Sequence, residues 1–205
     1  MKKIIVSLAT LILVALLGVF GLKYLNNNPR ERVKIEDGST MTVEELSFYS
    51  GGEKLFGRLY YKPSTEGSQN QTPVVIYFHE PLKTAWPESV IKSLVAKELS
   101  GYACGFRGDA KDAVKIVKRI GRESFADPDM LFLVSDSSCA DEIVLAAAKL
   151  GQKIQGLILI EPTLTGKARE IDLRYGKEFL TIDSSQRGEA MSLIEDYLEE
   201  RGALK

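Results

Sequence analysis

Between Pro73 and Ile160 the chain alternates short apolar runs with longer segments that are apolar along one side only. Nothing else in the sequence restricts the fold as much. The runs are Pro73–Phe78, Tyr102–Phe106, Met130–Val134 and Ile154–Ile160, with Phe179–Ile182 as a later short candidate. Apolar runs of this kind suit parallel strands covered on both faces. The segments between them read as helices. Pro87 to Leu99 carries Val90, Ile91, Leu94, Val95 and Leu99 on one side, with Pro87 near the first turn and Gly101 past the end. Asp109 can cap a helix bearing Val114, Ile116, Val117 and Ile120 and closed by Gly121. Ala140–Leu150 and a stretch from Glu189 to Glu200 complete the set. Ahead of them, Glu45–Ser50 and Lys54–Tyr61 flank Gly51-Gly52, a hairpin pattern. The fold class that follows is α/β: a mostly parallel sheet with an N-terminal antiparallel hairpin and helices on both faces.

One transmembrane helix is expected before this body. Ile4 to Leu22 contains no charge and follows Lys2 and Lys3. Nineteen helical residues span roughly 28 Å, close to the thickness of a bilayer's hydrocarbon core. The run reads as an uncleaved signal anchor. A cleaved signal peptide is the other reading, but no A-x-A site follows Phe20-Gly21-Leu22. The expected division is an anchor at 1–25, a polar, Pro-broken linker at 26–42 and one domain at 43–205. The expected place is the cell membrane, single-pass, with the amino terminus inside and the soluble domain extracytoplasmic, although Lys23, Arg30, Arg32 and Lys34 weigh the other way.

Composition narrows the partners. The 27 Lys+Arg nearly balance 28 Asp+Glu, which excludes nucleic-acid binding through bulk charge. No metal-ligand spacing or phosphate-binding glycine loop appears, so no cofactor and no metal are expected. The expected partners are the membrane and an unidentified small molecule or protein. One histidine, His79, limits imidazole chemistry to a single position.

The order of four motifs resembles that of the α/β-hydrolase superfamily, nearest its dienelactone-hydrolase-like and peptidase-like members. FYSGGEKLFGRLYYKP (48–63) is similar to the opening hairpin, and PVVIYFHE (73–80) to the strand that ends in His-Gly beside the oxyanion hole. GYACGFRG (101–108) is similar to the strand ending in Arg-Gly. DPDMLFLVSDSSCADEIVLAAA (127–148) is similar to the strand, elbow and helix that carry the nucleophile. The resemblance places Ser137 at the nucleophile position, flanked by Ser135 and Cys139 where the G-x-S-x-G elbow has glycines. The plainer reading is that Ser137 and Ser138 cap the following helix. The resemblance also places His79 in the oxyanion loop, with Glu80 replacing glycine, and Arg187 about where the catalytic acid is expected. Glu161 and Asp183 are the weaker acid candidates. No histidine follows the last strand.

A serine hydroxyl needs a base to become a nucleophile. The expectation is therefore a degenerate, C-terminally truncated member, a pseudoenzyme with a binding or structural role. The alternative is a serine hydrolase, esterase or peptidase, using Ser137 with a non-standard base. Cys139 would gain acidity at a helix start, or else serve as a small packing residue. The superfamily's strand order puts a strand between Cys104 and Cys139, so two free thiols are expected. Arg107-Gly108-Asp109 reads as the Arg-Gly motif followed by a helix cap.

Overall fold

The computed structural model describes residues 30–34, 40–50, 53–62, 71–81, 84–175 and 179–204. The apolar run 4–22 and the glycine pair 51–52 lie outside the described residues. Among the described residues no helix is long and apolar enough to cross a membrane.

Eight strands form one sheet in the order β1-β2-β3-β5-β4-β6-β7-β8. They are β1 (Arg30–Lys34), β2 (Thr40–Ser50), β3 (Glu53–Tyr61), β4 (Thr72–His79), β5 (Ser100–Gly105), β6 (Ala126–Asp136), β7 (Gly156–Ile160) and β8 (Phe179–Ile182). β5, β4, β6, β7 and β8 run parallel. β2 and β3 pair antiparallel from Thr42↔Tyr61 to Ser50↔Glu53, and β3 joins β5 antiparallel. The antiparallel pairing of the expected hairpin is thus present, its first strand beginning at Thr40, while its Gly51-Gly52 turn lies outside the described residues.

Two apolar layers cover the sheet. Along β4, Val74, Ile76 and Phe78 enter one layer, and Val75 and Tyr77 the other. This is the side-chain alternation of a strand buried on both faces. The first layer meets α2 (Ala110–Ile120) through Ala113, Ile116, Val117 and Ile120, and α3 (Ala140–Leu150) through Ile143 and Val144. The second meets α1 (Ala85–Ala96) through Val90, Ile91, Leu94 and Val95, and α5 (Ala190–Glu200) through Ile194 and Leu198. The remaining helix, α4 (Gly166–Tyr175), sends Ala168 into the first layer.

Local chemistry sets the helix ends. Asp109 accepts from the amides of Lys111 (2.7 Å) and Asp112 (3.1 Å), so the aspartate of the Arg-Gly-Asp sequence is a helix cap. Pro87 is the third residue of α1 rather than its first, because the helix already starts at Ala85 after Thr84. Gly101 follows the end of α1, as expected, but lies inside β5: an added Cβ there would stand 2.4 Å from Ile91, so the glycine lets α1 rest on the strand.

Two segments depart from expectation. The stretch read as a linker contains β1 and the start of β2, and the compact unit begins at Glu31. Val33 packs against the second apolar layer, and Met41 and Val43 belong to it. The helix α4 was not expected. Its start is held by Asp141, which accepts from the amide of Thr165 (2.8 Å) and from its hydroxyl, while the Thr165 carbonyl accepts from Ala168 and Arg169.

Candidate functional site

The carboxyl ends of β4, β6 and β7 bring the candidate residues to one edge of the sheet. Parallel pairing sets Asp136 against Ile160. The next residues, Ser137 and Glu161, therefore leave adjacent strand ends together. They line one recess of about 370 Å³, with Thr84 and Trp86 from the start of α1, Asp136, and Arg187. Ends of parallel strands are where ligands bind in open α/β sheets.

The elbow is organised by Asp136. Its carboxylate accepts from the Ser138 hydroxyl (2.8 Å) and from the Glu80 amide (3.4 Å), and its carbonyl accepts from the Cys139 amide (3.1 Å). Ser135 is buried and donates to the Asp136 carbonyl (3.0 Å). Cys139, not Ser137 or Ser138, is the residue flanking the start of α3, and its side chain makes no capping bond. Ser137 is exposed, and no described side chain is hydrogen-bonded to it.

The acid candidates are both occupied. Glu161 accepts from Arg187 (2.9 Å), whose guanidinium also lies over the Trp86 ring, 5.5 Å from its centroid. Glu161 has φ of 49°, the left-handed region that costs a non-glycine residue energy. Its amide donates to the Ile182 carbonyl (2.7 Å), which ties the turn to β8. Asp183 starts a 3-10 turn (Ser184–Glu189). Its carboxylate accepts from the Gln186 amide, and the Gln186 side chain accepts from the Asp183 amide (3.1 Å). That reciprocal cap gives the aspartate after β8 a structural role at the start of the turn.

His79 does not join the Ser137 recess. It is 2% exposed and lines a separate cavity of about 620 Å³. Its Nδ1 donates to the Glu80 carbonyl (2.8 Å). The Tyr77 ring stands next to His79 (centroids 6.2 Å apart) and next to Trp86 (5.9 Å), edge-on to both. Tyr77 thus lies between the imidazole and the recess wall. Its hydroxyl is buried with no hydrogen-bond partner among the described residues, and burial raises its pKa, with Asp136 adding to the rise.

Cys104 and Cys139 are buried free thiols, and β4 separates their strands. Burial pushes both thiols up to about 12. At Cys139 this outweighs any acidifying effect of the helix start, and its Sγ lies 3.8 Å from the Phe106 carbonyl. Trp86, Asp136 and the Arg187–Glu161 pair escaped the sequence reading as a group. The one cue was a solitary tryptophan directly before Pro87.

No protein-family model and no curated protein sequence matches this chain. Solved structures do. A cold-adapted esterase from an Arctic intertidal metagenomic library aligns with TM-score 0.61 and 15% identity, over 87% of this chain and 99% of that one. Esterase 2 of Thermogutta terrifontis aligns with TM-score 0.57 and 12% identity, over 79% and 96% of the two chains. A Klebsiella pneumoniae protein assigned as a dienelactone hydrolase gives 0.53 and 11%, over 80% and 82%. Strand order, elbow and these likenesses agree on the fold, which is that of the α/β-hydrolase superfamily. At such identities the likeness concerns the fold and leaves the chemistry to the residues.

Proposed function

We propose that this chain is a membrane-anchored protein of α/β-hydrolase fold that does not hydrolyse esters or peptides and acts by binding. The observation that carries this reading is the separation of Ser137 from the chain's one imidazole. Ser137 lines the recess of Trp86 and Arg187, whereas His79 lines another cavity with its Nδ1 committed to the Glu80 carbonyl. A general base must stand within hydrogen-bonding reach of the hydroxyl. The carboxylates in the recess are engaged elsewhere: Glu161 by Arg187, Asp136 by Ser138 and the Glu80 amide.

Among the described residues, the loop after β4 would also give a developing oxyanion no support. Hydrolases of this fold draw one donor from the residue after the nucleophile and another from the loop after the strand that here is β4. In that loop the Glu80 amide points to Asp136, and Pro81 has no amide hydrogen. A carboxylate beside the site opposes the charge that forms.

The uncharged run 4–22 supports the anchor, with the domain outside the cytoplasm. Protease added to intact cells should then digest the domain and spare it in inverted vesicles. The likeness to esterases, together with Ser137 at the elbow, favours the opposing reading of a working serine hydrolase. A fluorophosphonate probe on the full chain in detergent decides between them. No labelling of Ser137, and ester turnover equal in wild type and Ser137→Ala, is the expected result. Labelling that disappears in Ser137→Ala would refute the binding role.

A further inference from the structure

The cavity beside His79 has a composition that the Ser137 recess lacks. Small residues form part of its wall: Ala103 and Gly105 belong to β5, between β3 on one side and β4 on the other. Arg58 pairs with Ala103, and Gly105 pairs with His79. Where Gly105 has no side chain, Phe56 and His79 remain as larger groups on the flanking strands. Phe56 is 60% exposed, far more than a packed phenylalanine, so it presents an apolar face beside the opening.

The charges are arranged unevenly. Arg58 is held by Glu88 (3.1 Å) and lies 3.9 Å from Glu45, and those are the cavity's two carboxylates. Lys54 and Arg107 also line it and make no ion pair with any described residue. Lys54 rests over the Phe56 ring, 4.9 Å from its centroid. Two cations that share one cavity and have no ion-pair partner among the described residues repel each other and gain from a bridging anion. His79 adds a buried polar group whose Nε2 makes no hydrogen bond with a described residue. Because Nδ1–H is given to the Glu80 carbonyl, Nε2 accepts when the ring is neutral and donates when it is charged.

From this arrangement we infer that the cavity is a binding site for a phosphate monoester, with its phosphoryl group between Lys54, Arg107 and His79 and its ester substituent against Phe56. A carboxylate would balance one of the two cations. A phosphate monoester carries a charge of about −1.5 to −2 at neutral pH and three acceptor oxygens. It loses its second proton near pH 6, so it can donate to a neutral Nε2 or accept from a protonated one. The same contact survives either placement of that proton. Ser137 takes no part, and this site stands or falls independently of the elbow's chemistry.

The single histidine makes the test direct, since the imidazole Cε1–H of the full chain in detergent gives one NMR signal. Phenyl phosphate, inorganic phosphate and phenol are titrated at constant ionic strength. Phenyl phosphate should shift that signal saturably, inorganic phosphate should bind at least about tenfold more weakly, and phenol should leave it in place. Lys54→Gln and Arg107→Gln alter exposed residues and should each weaken phenyl phosphate at least about tenfold. Absence of a saturable shift, or unchanged affinity in both variants, overturns the site. Equal affinity for inorganic phosphate overturns the assignment of the ester group to Phe56.

Discussion

On one side of the end of β4, the Ser137 recess contains two carboxylates and one guanidinium, and its guanidinium is bonded to Glu161. On the other side, the His79 cavity contains two carboxylates and three basic side chains, of which only Arg58 has an ion-pair partner among the described residues. The two hollows share Thr84, and Tyr77 separates their aromatic walls. Such proximity with such unequal charge pairing teaches that the part of this fold that looks most like a catalytic site need not be its most ligand-ready part. Within the recess, Asp136 is engaged by Ser138 and the Glu80 amide, and Glu161 by Arg187. In the neighbouring cavity Lys54, Arg107 and the His79 Nε2 have no ion-pair or hydrogen-bond partner among the described residues.

The sharpest way to break this contrast is through the thiols. If the elbow side holds no reactive nucleophile, Cys139 must be as inert as the deeply packed Cys104. Both are pushed up to about 12 by burial, from an ordinary value of 9.0. At pH 8 their thiolate fraction is then lower by about a thousandfold, and alkylation by iodoacetamide should slow by a similar factor until the chain is unfolded. Mass spectrometry of each cysteine peptide measures this. Rapid labelling of Cys139 alone would mean that the elbow activates a nucleophile. The same shifts fix a sign for pH. Both thiols stay protonated in the folded state between about pH 9 and 12 while unfolded thiols ionise, so their contribution to stability falls as pH rises above about 9.

Two glycines sharpen the cavity side. A Cβ on Gly57 would stand 2.2 Å from the Tyr102 hydroxyl and 2.7 Å from the Ala103 carbonyl, which is backbone and cannot swing aside. Gly57→Ala should cost about 3 kcal/mol, seen as a lower midpoint in urea. A Cβ on Gly105 meets Pro81 Cα at 3.1 Å, a tight approach but not a collision. Gly105→Ala should cost about 1 kcal/mol and weaken phenyl phosphate, because the methyl group occupies the cavity wall. A variant that keeps full affinity would show that the ligand does not rest there.

Much of this architecture could be read before the structure. The runs at β4, β6 and β7 are apolar because both faces are covered, and Asp109 marks α2 because a carboxylate satisfies two free amides there. β1 could not be read, since RERVK has one apolar residue, and only contact with the second layer shows its role. α4 escaped for a related reason: GKAREIDLRY has little apolar periodicity, and its start depends on Asp141 from a different helix. Within the site, Ser137 and Glu161 were both singled out from sequence, and strand register brings them together. What no local pattern encodes is that α1 and the turn after β8 converge there, pairing Trp86 with Arg187. Nor does a strand's sequence state that Tyr77 will stand between His79 and the recess.

That tyrosine gives a test of the partition itself. Its buried hydroxyl has no partner among the described residues, so folding removes it from water without compensation from them. Tyr77→Phe keeps the ring and deletes the cost, and should stabilise the chain by about 1 kcal/mol. For a chain of 205 residues this corresponds to a Tm higher by about 2–4 °C. A loss of stability instead would reveal a bond from that hydroxyl into one of the two hollows.

The smallest effect is expected at Arg187. Its pair with Glu161 is short, but the two side chains are 55% and 29% exposed, and water screens the attraction. Arg187→Ala should therefore cost only about 0.5 kcal/mol. The guanidinium nevertheless lies over Trp86, the chain's single tryptophan, so its removal should change the fluorescence of one identifiable ring. A fluorescence change with almost no change in Tm is what a locally satisfied, solvent-facing cluster predicts. A loss of several kcal/mol would instead mean that Glu161, already held at positive φ, depends on its partner, and that the charge pairing of this recess supports the strand ends rather than merely occupying them.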